Sequence, residues 1–282
     1  MFSRVGAVPV PDRVTSRNAT FQLWQVLLTN RAKRTRAGEL LVQGVRPITV
    51  AVDQGWTVRA LLHDGRSRRS AWATDLMSRV DAPQVQLAPD LMAELGEKDG
   101  ADGTPELLAV VAQPPDDLDR LDLGPRSLTV VLDRLSSPGN LGTLLRSADA
   151  FGATGAAVTG HAADPYDPRC VRASTGSVFS VPVVRVPSHR DLVDRVDAAA
   201  PRPVVVGTDE AGTVDVREVD LTGPVLLVVG NEASGMSAAW RERCDVVARI
   251  PMAGTASSLN AATAGSLVLY EAMQQRSAGI TP

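Results

Sequence analysis

The stretch that decides the fold runs from Ile250 to Glu271 and reads IPMAGTASSLNAATAGSLVLYE. Ile250-Pro251-Met252 end a strand, and a loop of Ala, Gly, Thr and Ser follows. Leu259 and Asn260 then open a helix of small residues whose apolar positions Leu267, Leu269 and Tyr270 lie near its end. Small side chains let a ligand or another backbone come close. Thr255-Ala256-Ser257-Ser258 places hydroxyls and amides at a helix start, where orphan N–H groups hold a polar ligand. The same residues also suit a capped C-terminal helix and nothing more. The choice between the two rests on what lies upstream.

A chain of 282 residues with 44% hydrophobic content has room for two globular domains. Charge is unevenly spread. Residues 1–80 hold 13 Lys and Arg against 5 Asp and Glu, a net +8, while the remainder holds 16 against 27, a net −11. A basic amino-terminal part on an acidic body suggests a docking surface for a polyanion. Two cysteines without CxxC spacing fit a reduced, cytoplasmic protein. His63, His161 and His189 are too scattered for a histidine metal site, and no apolar run approaches the roughly 20 residues of a membrane span.

Read in order, the first part alternates helices and strands: a helix from Asn18, a short strand after Gly38, Val58–His63, a helix from about Ala71, and Leu107–Ala112. Two basic clusters stand out, Arg31, Lys33, Arg34 and Arg36, then Arg66, Arg68 and Arg69. The segment from Gln113 to Pro125 is rich in proline and acid and marks a linker, which divides the chain into 1–122 and 123–282. Beyond it, Leu128–Leu132, Ala156–Thr159, Val204–Gly207, Val225–Val229 and Val246–Ile250 are near-continuous apolar strands. Such strands belong to a parallel sheet covered by helices on both faces. Ligands of such sheets sit at the carboxyl ends of the strands.

Three of those ends carry chemistry. Asn140 and Arg146 follow the first strand, Gly230-Asn231-Glu232-Ala233-Ser234-Gly235-Met236 follows Val229, and Ile250 to Asn260 follows the last. Neither G-x-G-x-x-G nor a P-loop is present, which disfavours NAD and ATP. Taken together, N-x-x-x-x-x-R, G-N-E-x-S-G-M and I-P-M-x-G-x-x-x-S-L-N resemble the SpoU/TrmH branch of the SPOUT methyltransferases over roughly Leu128 to Glu271. The basic first domain is similar to the L30e-like α/β domain that precedes the catalytic domain in ribosomal RNA 2′-O-methyltransferases. The layout is similar to actinobacterial enzymes conferring resistance to antibiotics such as thiostrepton or avilamycin.

The resemblance implies an α/β SPOUT fold with a deep trefoil knot, a homodimer, and S-adenosylmethionine as cofactor with no metal. It implies methylation of a ribose 2′-hydroxyl in RNA, with 23S ribosomal RNA as the leading substrate. It places Thr208, Gly230, Ile250, Leu259 and Thr175 at the cofactor and Asn140, Arg146, Glu232, Ser258 and Asn260 at the reaction. Glu232 is expected to hold Arg146 or the ribose. A permanently charged guanidinium is a poor general base, so Arg146 is expected to bind phosphate and stabilise the developing alkoxide. The two basic clusters would hold RNA. The alternatives are a transfer-RNA ribose methyltransferase, or a non-catalytic RNA-binding protein on the same fold.

Overall fold

A computed structural model describes residues 11–96 and 104–278. The lead-in around Pro9 and the acids Glu97, Asp99 and Asp102 lie outside them. The chain divides into two compact units, one ending at Pro114 and one beginning at Pro115.

In the first unit, Asn18 caps α1 (Ala19–Thr29) by accepting from the Phe21 N–H, and Asn30 caps α2 (Arg31–Ala37) by accepting from Lys33 N–H. The unit also holds β1 (Arg13–Val14), β2 (Glu39–Val42), α3 (Val45–Asp53), β3 (Val58–His63), α4 (Ala71–Arg79), β4 (Gln84–Leu87), α5 (Pro89–Leu95) and β5 (Leu107–Ala112). The five strands form one mixed sheet in the order β1-β4-β3-β5-β2. Phe21, Trp24, Leu27 and Leu28 of α1 pack with Leu41, Leu62, Val85, Leu87 and Leu91 in its core.

The second unit alternates strand and helix: β6 (Leu128–Asp133), α6 (Pro138–Ala150), β7 (Gly155–Thr159), α7 (Pro168–Ala173), β8 (Val183–Val186), α8 (His189–Ala198), β9 (Val204–Thr208), β10 (Val214–Asp215), β11 (Val225–Val229), α9 (Ala238–Arg243), β12 (Val246–Arg249) and α10 (Ala261–Ala278). Its seven strands run in the order β10-β12-β9-β11-β6-β7-β8, every pair parallel. One face packs on Leu192 and Val196 of α8 and Trp240 of α9. On the other face α10 comes close at Gly265, where a Cβ would stand 2.8 Å from Leu144 of α6 and 2.9 Å from Val229 of β11. The sheet is therefore covered on both sides, as its near-continuous apolar runs require.

One expectation shifts. Residues 115–122 were placed with the first domain but belong to the second unit, since Leu118 and Leu121 pack in its core and Arg185 binds Asp116. Leu267 and Tyr270 are exposed on α10, while Leu269 is buried. β4 and β8 were not anticipated at all. No helix among the described residues is long and apolar enough to cross a membrane.

Candidate active site

Sheet register delivers the site. β6 and β11 are neighbours, with Leu132 opposite Val229, so both strands end at one level and their following loops emerge side by side. After β6, Ser137 caps α6 by accepting from the Asn140 N–H, with Pro138 in the first turn. After β11, the chain closes a small ring. The Asn231 N–H donates to the Gly235 carbonyl and the Gly235 N–H to the Asn231 carbonyl, both at 3.0 Å. The Asn231 Oδ1 accepts from the N–H groups of Ala233 and Ser234 at 2.9 and 3.1 Å. Gly230 is required at the base of the ring: a Cβ there would lie 2.2 Å from the Met236 nitrogen and 2.3 Å from the Gly235 carbonyl carbon.

The ring holds Glu232 against the neighbouring loop. Its Oε1 accepts from Asn140 Nδ2 at 2.9 Å and the Ser137 N–H at 3.3 Å. Its Oε2 accepts from the Ser136 N–H and hydroxyl, both at 3.2 Å, and from Asn231 Nδ2 at 3.3 Å. Asn140 Oδ1 in turn accepts from Asn260 Nδ2 at 3.1 Å, and Asn260 Oδ1 accepts from the N–H groups of Ala262 and Thr263 at the start of α10. The direction of this relay is fixed at both ends, because a carboxylate only accepts and helix N–H groups only donate. Burial pushes the Glu232 carboxyl up, but the Asn140 amide, its own backbone N–H and those of Ser136 and Ser137 outweigh it, holding the group below the ordinary carboxylate range.

Beside the relay lies a cavity of about 440 Å³ whose walls include Thr208, Gly230, Glu232, Ile250, Ser258 and Leu259. Six expected residues thus meet there. Asp209, Glu210 and Arg241 also line it, with Asp209 paired to Arg241. Thr175 does not: it ends the α7 turn with φ 50° and is absent from the cavity wall. Asn140 and Asn260 stand in the relay. Arg146 is exposed on α6 and, among the described residues, bonds to no side chain; of the two partners expected for Glu232, Arg146 or the ribose, the arginine is not in contact with it, and Glu232 meets Asn140. The helix packs through Leu141, Leu144, Leu145 and Ala148 instead.

In the first unit, Arg31, Lys33, Arg36 and Arg68 are exposed. Arg34 is a correction. It is buried, and its Nη1 donates to the Leu27 carbonyl at 2.8 Å, one of the carbonyls that the end of α1 leaves without an intrahelical partner. Arg66 is committed to Asp64 at 2.7 Å and to the Thr104 carbonyl at 2.9 Å. Arg69 approaches His63 Nδ1 at 3.5 Å.

Sequence reasoning missed Ser136, Asn231 and the Asp209–Arg241 pair as parts of the site. The glycines flanking Asn231 were the available signal, since a tight ring between them needs a residue that satisfies its own turn. Among the described residues no group of three or more His, Cys, Asp and Glu is placed to hold a metal.

A parallel sheet whose strand-end loops meet at one cavity is here joined to family likeness. Residues 127–270 match the SpoU rRNA Methylase family and residues 18–109 the SpoU L30e-like domain. The chain belongs to the SpoU rRNA methylase family. It is 56% identical, over 99% of its length and 98% of the relative's, to the 23S rRNA (uridine(2479)-2′-O)-methyltransferase of Streptomyces viridochromogenes. The crystal structure of the SpoU methyltransferase AviRb from that organism in complex with AdoMet superposes with a TM-score of 0.87 at 56% identity, covering 92% of this chain and 98% of that one. The AdoMet-bound rRNA methyltransferase from Sinorhizobium meliloti gives 0.81 at 29% identity, over 93% and 97% of the two chains.

Proposed function

We propose that the protein methylates a ribose 2′-hydroxyl of 23S ribosomal RNA with S-adenosylmethionine as donor. The observation that carries this reading is the likeness, along nearly the whole chain, to a 23S rRNA uridine 2′-O-methyltransferase. The cavity fits the cofactor's chemistry. The carboxylates of Asp209, Glu210 and Glu232 outnumber the one cation Arg241 in its wall, which suits a cationic ligand, Gly230 leaves backbone open to close approach, and Val229, Ile250 and Leu259 offer an apolar wall. When bound, S-adenosylmethionine supplies a methyl group already activated by its sulfonium.

Everything else falls to the chain. Glu232, tied to Ser136, Ser137 and Asn140, fixes the loop that borders the cavity. Asn260 ties that loop to α10 through Asn140. Arg146, exposed and uncommitted to any acid, is the group we assign to the RNA: it binds phosphate and stabilises negative charge on the attacking oxygen. The trefoil knot, the homodimer and a cytoplasmic location belong to the same reading. The exposed apolar Met252, Leu259, Leu267 and Tyr270 support a second copy against α10 and the 250–260 segment. Protection of ribosomes against a ribosome-targeting antibiotic is the physiological role that the layout suggests.

The test is methyl transfer from labelled S-adenosylmethionine to protein-free 23S RNA, with the modified ribose mapped. Arg146→Ala is expected to abolish transfer and keep cofactor affinity. Full transfer by that variant would remove the assigned role, and no transfer by the wild-type protein to any ribosomal RNA would remove the function.

A further inference from the structure

We propose that Arg134 is a positioning residue for this site: from a left-handed backbone conformation it clamps the Asn231–Gly235 ring, and thereby Glu232, at both ends. The inference rests on the functional reading above for what the ring serves, but not for the clamp itself.

Arg134 is the first residue after β6 and has φ 58°, a conformation that favours glycine because a Cβ crowds the following carbonyl. A non-glycine residue is kept there only when its side chain returns something. Two contacts do so. The Arg134 Nη2 donates to the Gly235 carbonyl at 3.0 Å, and the Arg134 carbonyl accepts from Asn231 Nδ2 at 2.7 Å. The two ends of the ring are thus held by one residue, through its side chain and through its strained backbone.

The fold makes room for this side chain. A Cβ on Gly160, itself at φ 65°, would stand 2.7 Å from Arg134 Cγ, so the bare glycine leaves the space the arginine stem fills. The guanidinium is steadied by Asp133, whose Oδ2 lies 3.3 Å from Arg134 Nε. Asp133 is buried and anchored separately: its Oδ2 accepts from the Ser237 N–H at 2.7 Å, and its Oδ1 from the Thr159 hydroxyl at 3.2 Å. Trp240 Nε1 donates to the same hydroxyl at 3.3 Å. The clamp therefore stands on the core of the second unit. The ring it holds contributes every residue from Asn231 to Gly235 to the cavity wall.

Removing Arg134 alone strands the Asp133 charge, which would lower stability for an unrelated reason. The decisive comparison is therefore Asp133→Asn against Asp133→Asn/Arg134→Gly. An asparagine at 133 keeps an acceptor for Ser237 and turns its amide to Thr159, and a glycine at 134 accepts the left-handed backbone. Three quantities are read on the full chain: melting temperature, amide hydrogen exchange of residues 230–236 without cofactor, and S-adenosylmethionine affinity by calorimetry. The double variant is expected to melt within a few degrees of the single one. Its Asn231 and Gly235 amides should exchange roughly tenfold faster, and its cofactor affinity should fall by about the same factor, the size of one lost charge-assisted bond on a part-exposed group. Arg134→Lys, which keeps a donor, should recover part of the loss. Equal exchange in the two variants would overturn the clamp, as would a large fall in melting temperature accompanying the lost affinity. Wild-type protein that binds no S-adenosylmethionine would count against the functional reading, and the exchange comparison would still decide the clamp.

Discussion

Replacing Glu232 with glutamine, ordinarily the mild substitution for a carboxylate, is expected to be at least as harmful as replacing it with alanine. The reason is the direction of the hydrogen bonds. Each carboxylate oxygen faces donors only: Asn140 Nδ2 and the Ser137 N–H on one side, the Ser136 N–H and hydroxyl and Asn231 Nδ2 on the other. Whichever oxygen becomes an NH2 group then meets at least two N–H or O–H donors. Reversing the Asn140 amide does not help, because Asn260 would have to reverse too and present its NH2 to the Ala262 and Thr263 N–H groups. Alanine, by contrast, lets water reach the same donors, since Glu232 is exposed. A charge-assisted bond is typically worth about 1.5–3 kcal/mol. Discounting for solvent, the loss is about 2 kcal/mol, or roughly 30-fold in kcat/KM for methyl transfer. The assay is transfer of labelled methyl to 23S RNA by the wild type, Glu232→Gln and Glu232→Ala at matched cofactor occupancy. A glutamine variant within threefold of wild type, or clearly more active than alanine, would refute the reasoning.

The sign of the pH dependence follows from the same group. Its folded pKa lies below its ordinary 4.5, so its contribution is present above that value and is lost as pH falls through the depressed one; cofactor affinity should show no Glu232 titration between pH 6 and 9. Gly230→Ala should weaken cofactor binding strongly. The new Cβ meets backbone atoms at 2.2 and 2.3 Å rather than yielding side chains, and calorimetry checks it. Arg34→Ala should destabilise the first unit by about 2 kcal/mol in urea unfolding, because the Leu27 carbonyl loses its partner. Neutralising Lys33 and Arg36, both exposed, should instead leave unfolding unchanged and reduce the salt slope of RNA binding by about one per residue that contacts phosphate. Neither cysteine should be alkylated in the native protein near neutral pH: burial pushes the Cys244 thiol up to about 11 and the Cys170 thiol well above its ordinary range. Mass spectrometry after iodoacetamide reads it.

What the sequence made legible depends on whether one segment or two decide the outcome. VLLVV is apolar at every position and LTVVL at all but Thr129 because helices cover both faces of the sheet, and that pattern needs no partner to be read. QVQL of β4 and VVRV of β8 are four residues long with polar positions interleaved, which a loop carries as readily. Arg34 sits in a basic string at helical spacing. Only the packing of α2 on the end of α1 turns it inward, and nothing local distinguishes it from Lys33 beside it.

The site divides in the same way. Glu232 was legible because two glycines bracket it at a strand end, and Asn140 because it opens a helix after another strand. Their meeting was not, because it depends on which strands are neighbours. Had β9 rather than β6 flanked β11 on that side, the same motifs would have faced different loops. Once Leu132 is known to stand opposite Val229, the encounter of the 133–140 and 230–235 loops is forced, since parallel strands in register end together. Arg134 remained hidden even then. Its place in the clamp is announced by a positive φ, a property of the folded backbone that an arginine in a sequence does not declare. The part of the site hardest to read is therefore the part where the chain departs from what its local residues prefer, and such departures are where substitution should most clearly separate function from stability.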